Sequence, residues 1–184
     1  MKAALLVVDM QQDFFAHQAL AGQRDRLVVC TNDLVGVARA NQCPVIWVRQ
    51  AFRADLADAP LEVKRLGLRI TIAGTDGARL ITGLDVSSAD VQVEKTRYSA
   101  FFRTGLEDQL ASMGCSVLII AGINTHACIR MTVVDAYQRD MDVIMARECI
   151  ASHDLAHHDM TWAYLDGKMA RGLSNAEIAD LLVR

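Results

Sequence analysis

The sequence predicts an α/β fold: an open, mostly parallel sheet with helices on both faces. Short apolar, β-rich runs recur along the chain, segments of helical spacing separate them, and charged residues or glycine punctuate the ends of the runs. Strands alternating with helices in this way imply right-handed crossovers. They also place chemistry at the carboxyl ends of the strands, beside the switch point in strand order.

The first run, Ala3 to Val8, is apolar throughout and closes at Asp9, as a strand buried on both faces should. Between Arg24 and Ala40, Leu27, Val28, Leu34, Val35 and Val37 recur at helical spacing, and Pro44 stops that pattern before a second strand at Val45 to Val48. The stretch from Phe52 to Gly77 mixes charges, Pro60 and three glycines without a firm period, so loop and short helix are expected there. Loops of this length often line active sites. Val91 to Val93 forms a short third strand, and Thr104 with Glu107 has the capping-box spacing for a helix through Leu110. Ser116 to Ala121 is the fourth strand, ending at Gly122 and leading into a helical segment from His126 to Arg139. Asp142 to Ala146 is the fifth. Ser174 and Glu177 repeat the capping-box spacing ahead of Ile178, Leu181 and Leu182, which predicts a terminal helix packed on the body.

With 184 residues, about half of them apolar, residues 1–184 are expected to form a single domain around one core. The net charge of −3 and the scattered basic residues argue against a nucleic-acid partner. Asp9 interrupts the apolar start and no small-residue cleavage site follows, so MKAALLVVDM reads as strand rather than export signal. No apolar stretch approaches the roughly 20 residues that span a bilayer. A cytoplasmic protein without membrane association is expected. The odd set of five cysteines contains no C-x-x-C pair, and Cys30, Cys43, Cys115 and Cys149 border apolar or strand-like segments as core thiols do.

Cys128 differs, because it follows a strand end at a turn into a helix. With Thr125 as N-cap, Cys128 falls in the first helical turn, where the partial positive charge of unpaired N–H groups lowers a thiol pKa and a backbone N–H can face an oxyanion. Its local sequence alone fits a packing cysteine equally well. Asp9, at the end of an apolar strand, needs a partner, since an isolated buried carboxylate is costly or takes up a proton. Lys95, just past the third strand, is the candidate. The pair reads as a structural ion pair or, with Cys128, as an acid/base and cation serving a nucleophile.

Three segments carry a family resemblance: VVDMQQDFF (Val7 to Phe15), EKTRYSAFF (Glu94 to Phe102) and AGINTHACIRMTVVDAY (Ala121 to Tyr137). In order and spacing they resemble the signature blocks of the isochorismatase-like cysteine hydrolases, which include nicotinamidases, carbamoylsarcosine and ureidoacrylate amidohydrolases, and biuret hydrolase. The resemblance implies a Rossmann-type three-layer fold and a triad of Cys128, Asp9 and Lys95. It further implies a cis peptide at Ile123–Asn124 and an oxyanion hole from the N–H groups of Asn124 and Cys128. The implied reaction is hydrolysis of a C–N bond in a small amide or ureide through a thioester, by a homo-oligomer, dimer or tetramer.

The chain also departs from its relatives. Nicotinamidase-like members hold a metal with an aspartate and histidines after the second strand, but WVRQAFRAD (Trp47 to Asp55) contains no histidine, so neither metal nor other cofactor is expected. His153 and His157 read as an i, i+4 pair whose spacing suits a zinc ligand set, but with no third ligand evident they are expected on a solvated helix face. True isochorismatases cleave a vinyl ether and lack the nucleophilic cysteine, so Cys128 favours amide chemistry. Candidate pocket residues near the motifs are Phe14, Trp47, Arg49, Tyr98 and Arg130, the arginines suited to a substrate carboxylate. Two other classes of function compete: a non-catalytic binding protein on the same fold, and a thiol redox sensor at Cys128, whose resolving cysteine the spacing does not identify.

Overall fold

The computed structural model describes residues 2–183. Six parallel strands form one sheet in the order β3-β2-β1-β4-β5-β6: β1 Lys2–Val8, β2 Val45–Gln50, β3 Val91–Lys95, β4 Cys115–Ile123, β5 Asp142–Ala151 and β6 Arg171–Leu173. The chain builds outward from β1 to β2 and β3, then returns to place β4 on the other side of β1. The switch point is therefore β1 itself, and Asp9 lies at the crevice where such folds bind ligands.

Alternation along β1 explains both layers. Ala3, Leu5 and Val7 pack with Leu27, Leu34 and Val35 of α3 (Arg24–Ala40) and with Ile178 of α8 (Asn175–Val183). Ala4, Leu6 and Val8 pack with residues of α5 (Leu106–Met113), α6 (Arg130–Tyr137) and α7 (Leu155–Leu165). Because both faces are covered, the run lacks polar residues, as its sequence suggested. Short helices α1 (Gln12–Phe15) and α2 (Gln18–Ala21) follow the first strand, and α4 (Leu61–Leu66) with a 3-10 turn at Asp76–Ala78 occupies the aperiodic stretch. Among the described residues no helix is long and apolar enough to cross a membrane.

The predicted α3 and the terminal helix match the structure, and Ser174 and Glu177 form their capping box: Glu177 Oε2 accepts the Ser174 N–H at 2.7 Å and Ser174 Oγ accepts the Glu177 N–H at 3.2 Å. The capping box expected at Thr104 and Glu107 does not form. Gly105, at φ 74°, is the N-cap of α5, while Glu107 pairs with Arg139 at 2.8 Å. The helix expected from His126 to Arg139 divides into a π-turn, Thr125–Ile129, and α6. Asn124 rather than Thr125 is its N-cap, and the Thr125 hydroxyl instead lies 2.7 Å from His158 Nδ1. The short α1 and α2 left no clear sequence signal, nor did β6, three residues long, or α7, which buries only Thr161 and Leu165.

Candidate active site

Three strand ends supply the site. Asp9 leaves β1 in the left-handed region at φ 56°, with its N–H bonded to Val48 O at 2.9 Å and its carbonyl accepting the Gln11 N–H at 2.7 Å. Gln11 secures this exit: its buried side chain accepts the Gln50 N–H at 2.8 Å and donates to Gln50 O and Ala78 O at 2.7 Å each. Lys95 is the last residue of β3. Its Nζ lies 2.7 Å from Asp9 Oδ2, 3.4 Å from Cys128 Sγ and 3.0 Å from Arg97 O. Cys128 occupies the π-turn after β4 and is 4% exposed. Thr132 steadies it, donating to Cys128 O at 2.7 Å and accepting the Ala100 N–H at 3.1 Å, which ties the turn to the loop beyond Lys95. The Ile123–Asn124 peptide is cis.

Burial dominates the electrostatics. It raises Asp9 above the ordinary carboxylate range, although the Lys95 charge and hydrogen bonds to Cys128 and Lys95 oppose the rise. Burial would depress Lys95, but Asp9 and Cys128 together hold it above its usual value. Burial and the Asp9 charge also push the Cys128 thiol up. This corrects the expectation of a depressed thiol: the helix-start effect is outweighed, and the resting group is a neutral SH beside an Asp–Lys pair. For such a thiol to act as a nucleophile a base would have to take its proton, and Asp9, bridged to it by Lys95, is the neighbouring carboxylate.

Cys128 forms part of the wall of a cleft of about 390 Å³ whose other borders include Phe14, Tyr98, Asn124, His126 and His153. A hollow of about 470 Å³ at the opposite end of the strands, beside Lys2, Asn41 and Arg171, is larger. Its thiol, Cys43, is pushed up to about 12 chiefly by burial, and the ion pair on its border, Asp142–Arg171 at 2.6 Å, is partly exposed, whereas Asp9–Lys95 beside Cys128 is buried.

Phe14 and Tyr98 border the cleft as expected from sequence, but three other pocket candidates do not. Trp47 is fully buried within the α3 layer, its Nε1 donating to Asp90 at 2.8 Å, because alternation along β2 directs it to a sheet face rather than the strand end. Arg49 turns to Glu94 on the neighbouring strand at 3.1 Å. Arg130 lies two positions past Cys128, on another side of the helical path, with its guanidinium 5.9 Å from the Tyr164 ring centroid.

The polar wall comes instead from histidines that sequence spacing could not assemble. His153 precedes the N-cap Asp154 and so forms no helical pair with His157. His17, His126 and His153 meet at the cleft, with ring centroids 4.9 Å apart for His17–His153 and 5.1 Å for His126–His153. Among the described residues no group of three or more histidine, cysteine or acidic side chains is arranged to hold a metal ion.

A doubly covered parallel sheet with a buried acid, lysine and thiol at its switch point defines the α/β architecture of this chain. The chain belongs to the isochorismatase family, whose Isochorismatase domain matches residues 3–177, and it has the hydrolase fold of that family. A probable inactive nicotinamidase of Arabidopsis thaliana is 37% identical over 146 residues, 74% of each chain. The crystal structure of an isochorismatase family protein from Desulfovibrio vulgaris superposes with a TM-score of 0.88 at 28% identity, covering 100% of this chain and 99% of that one. The N-carbamoylsarcosine amidase of Thermoplasma acidophilum gives a TM-score of 0.79 at 27% identity, over 95% and 97% of the two chains.

Proposed function

We propose that this protein is a cysteine-dependent amidohydrolase that cleaves the C–N bond of a small amide or ureide. The observation that carries the reading is the contact of Lys95 with both Asp9 and Cys128 in a buried site at the cleft. Asp9 accepts the Cys128 proton as sulfur attacks the carbonyl carbon. The oxyanion is received by the N–H groups of Asn124 and Cys128, worth about 10²–10³ in rate per donor in comparable sites. Asp9 then returns the proton to the departing nitrogen, the C–N bond breaks, and a thioester remains on Cys128. Water deprotonated by Asp9 hydrolyses it, releasing the acid, or a carbamate from a ureide, and restoring the thiol. Lys95 keeps Asp9 ionised between these steps.

The test is ammonia release from a panel of nicotinamide, maleamate, N-carbamoyl amino acids, ureidoacrylate and biuret. Wild type is expected to turn over at least one of these, and Cys128→Ala none. A Cys128→Ala protein that retained turnover would end the proposal. The name of the Arabidopsis relative favours a second reading, a binding protein without turnover. Saturable binding across the panel with no ammonia from wild type would select it.

The pH profile gives a separate check. Protonating Asp9 removes the base, so kcat/KM should fall as pH decreases, on a limb above the ordinary carboxylate range because burial raises this carboxyl. The limb belongs to the coupled triad as a whole. Activity flat down to pH 4 would contradict the assignment of Asp9 as base.

A further inference from the structure

The imidazoles at the cleft are fixed in unlike tautomers by their own neighbours. His17 Nδ1 accepts the Ala19 N–H at 3.3 Å, so in the neutral ring the proton sits on Nε2. His153 Nδ1 lies 3.1 Å from Asn124 Oδ1, an oxygen that also accepts the His153 backbone N–H at 3.1 Å. That nitrogen therefore carries the proton, and His153 Nε2 has the bare lone pair. The two ring centroids are 4.9 Å apart, so a donor stands beside an acceptor on one wall. His126 adjoins them, its Nδ1 held 2.7 Å from Ser152 Oγ.

From this arrangement we infer that His17 and His153, with His126 beside them, form a specificity site for a second, uncharged amide or urea group of the substrate, remote from the carbonyl that Cys128 attacks. Such a group offers C=O to the His17 N–H and N–H to the His153 lone pair. The inference rests on the amidohydrolase reading and names the substrate class within it. Charge on the cleft points the same way. Arg49 and Arg130 lie outside it, and Lys95 is committed to Asp9 and Cys128. The carboxylates bordering it are Asp13, which accepts the Thr71 N–H at 2.6 Å, and Glu62, which accepts the Tyr98 hydroxyl at 3.0 Å. Among the described residues bordering the cleft, a substrate carboxylate meets no free cation.

Protonation would alter this preference. Burial holds both His126 and His153 below the usual imidazole range; neighbouring imidazoles, His153 and His157 for His126 and His17 and His157 for His153, add to the lowering. Asp154 opposes it for both, and His158 adds a small lowering at His126. His126 and His153 are therefore neutral at pH 7.5 and acquire charge only in acid, where an anionic group becomes acceptable.

Binding to the full-length Cys128→Ala protein, measured by calorimetry, separates recognition from turnover. The probes are succinamide, its methyl-ended counterpart pentanamide, and succinamate. At pH 7.5 succinamide is expected to bind at least about tenfold more tightly than either of the others, because a site built around hydrogen-bonding groups penalises a ligand that leaves them unpaired. At pH 5 succinamate should gain on succinamide. His153→Phe in the same background should erase the advantage of succinamide over pentanamide. Because His153 also anchors Asn124, His17→Phe serves as the second variant, and it should compress the same ratio without weakening pentanamide. Equal or reversed ranking at pH 7.5, no binding of succinamide, or an unchanged ratio in His17→Phe would each overturn the inference. Failure of the amidohydrolase reading is seen separately, as wild type that binds succinamide and releases no ammonia.

Discussion

Lys95→Met is expected to lower stability by about 3–5 kcal/mol near neutral pH and to abolish turnover, since it leaves the Asp9 carboxylate buried without its counter-charge. Asp9 can escape part of this cost by binding a proton. Its folded-state pKa would then lie further above the unfolded value of about 4, so the folded state binds more protons than the unfolded one across that interval. The variant should therefore regain stability as pH falls from 7 towards 4 and lose it as pH rises. Asp9→Asn alone should also destabilise, by burying an unpaired lysine. The double variant Asp9→Asn/Lys95→Met should lose less than the sum of the single changes, because neither orphaned charge remains. Denaturant titration of the four proteins gives the coupling directly. Strict additivity would mean that the 2.7 Å contact contributes nothing to folding.

Gly122→Ala is the second large effect, and it falls on the sheet. Gly122 pairs with Val8 at the end of β1, its φ is 114°, and an added Cβ would stand 2.0 Å from Val8 O. Backbone on a central strand cannot move aside, and that φ strains any side chain. The soluble yield of folded Gly122→Ala should collapse, or its unfolding midpoint should fall by more than 10 °C, consistent with about 3 kcal/mol or more in a domain of this size. Because Val8 precedes Asp9 and Gly122 precedes the Ile123–Asn124 peptide, any surviving folded fraction should also have lost turnover. A variant of wild-type stability would show that β1 and β4 do not approach this closely.

These two sites also show how the chain announces its structure. The β1 run was legible because a strand covered on both faces must be apolar at every position, and α3 because a single helix face meets the core. Asp9, Lys95 and Cys128 stood out as strand-end residues whose chemistry made sense only together, and the resemblance of the surrounding blocks fixed their pairing. What sequence did not reveal depends on tertiary placement. His17 and His153 lie on segments separated by most of the chain, so no local pattern links them. Trp47 and Arg49 were close to the motifs in sequence, yet strand alternation sends Trp47 to a sheet face and the neighbouring Glu94 claims Arg49. The thiol pKa was misread for a related reason: a helix start was visible in the sequence, whereas the degree of burial and the Asp9 charge beside the sulfur were not.

In the proposed mechanism Cys128 carries the acyl group between C–N cleavage and hydrolysis. Rapid acid quenching of wild type during turnover, followed by peptide mass spectrometry, reads this directly. An adduct with the mass of the substrate's acyl portion is expected on the peptide containing Cys128, appearing within the first turnover and decaying as substrate is exhausted. Steady turnover that leaves Cys128 unmodified at every quench time, and that persists in Cys128→Ala, would contradict it.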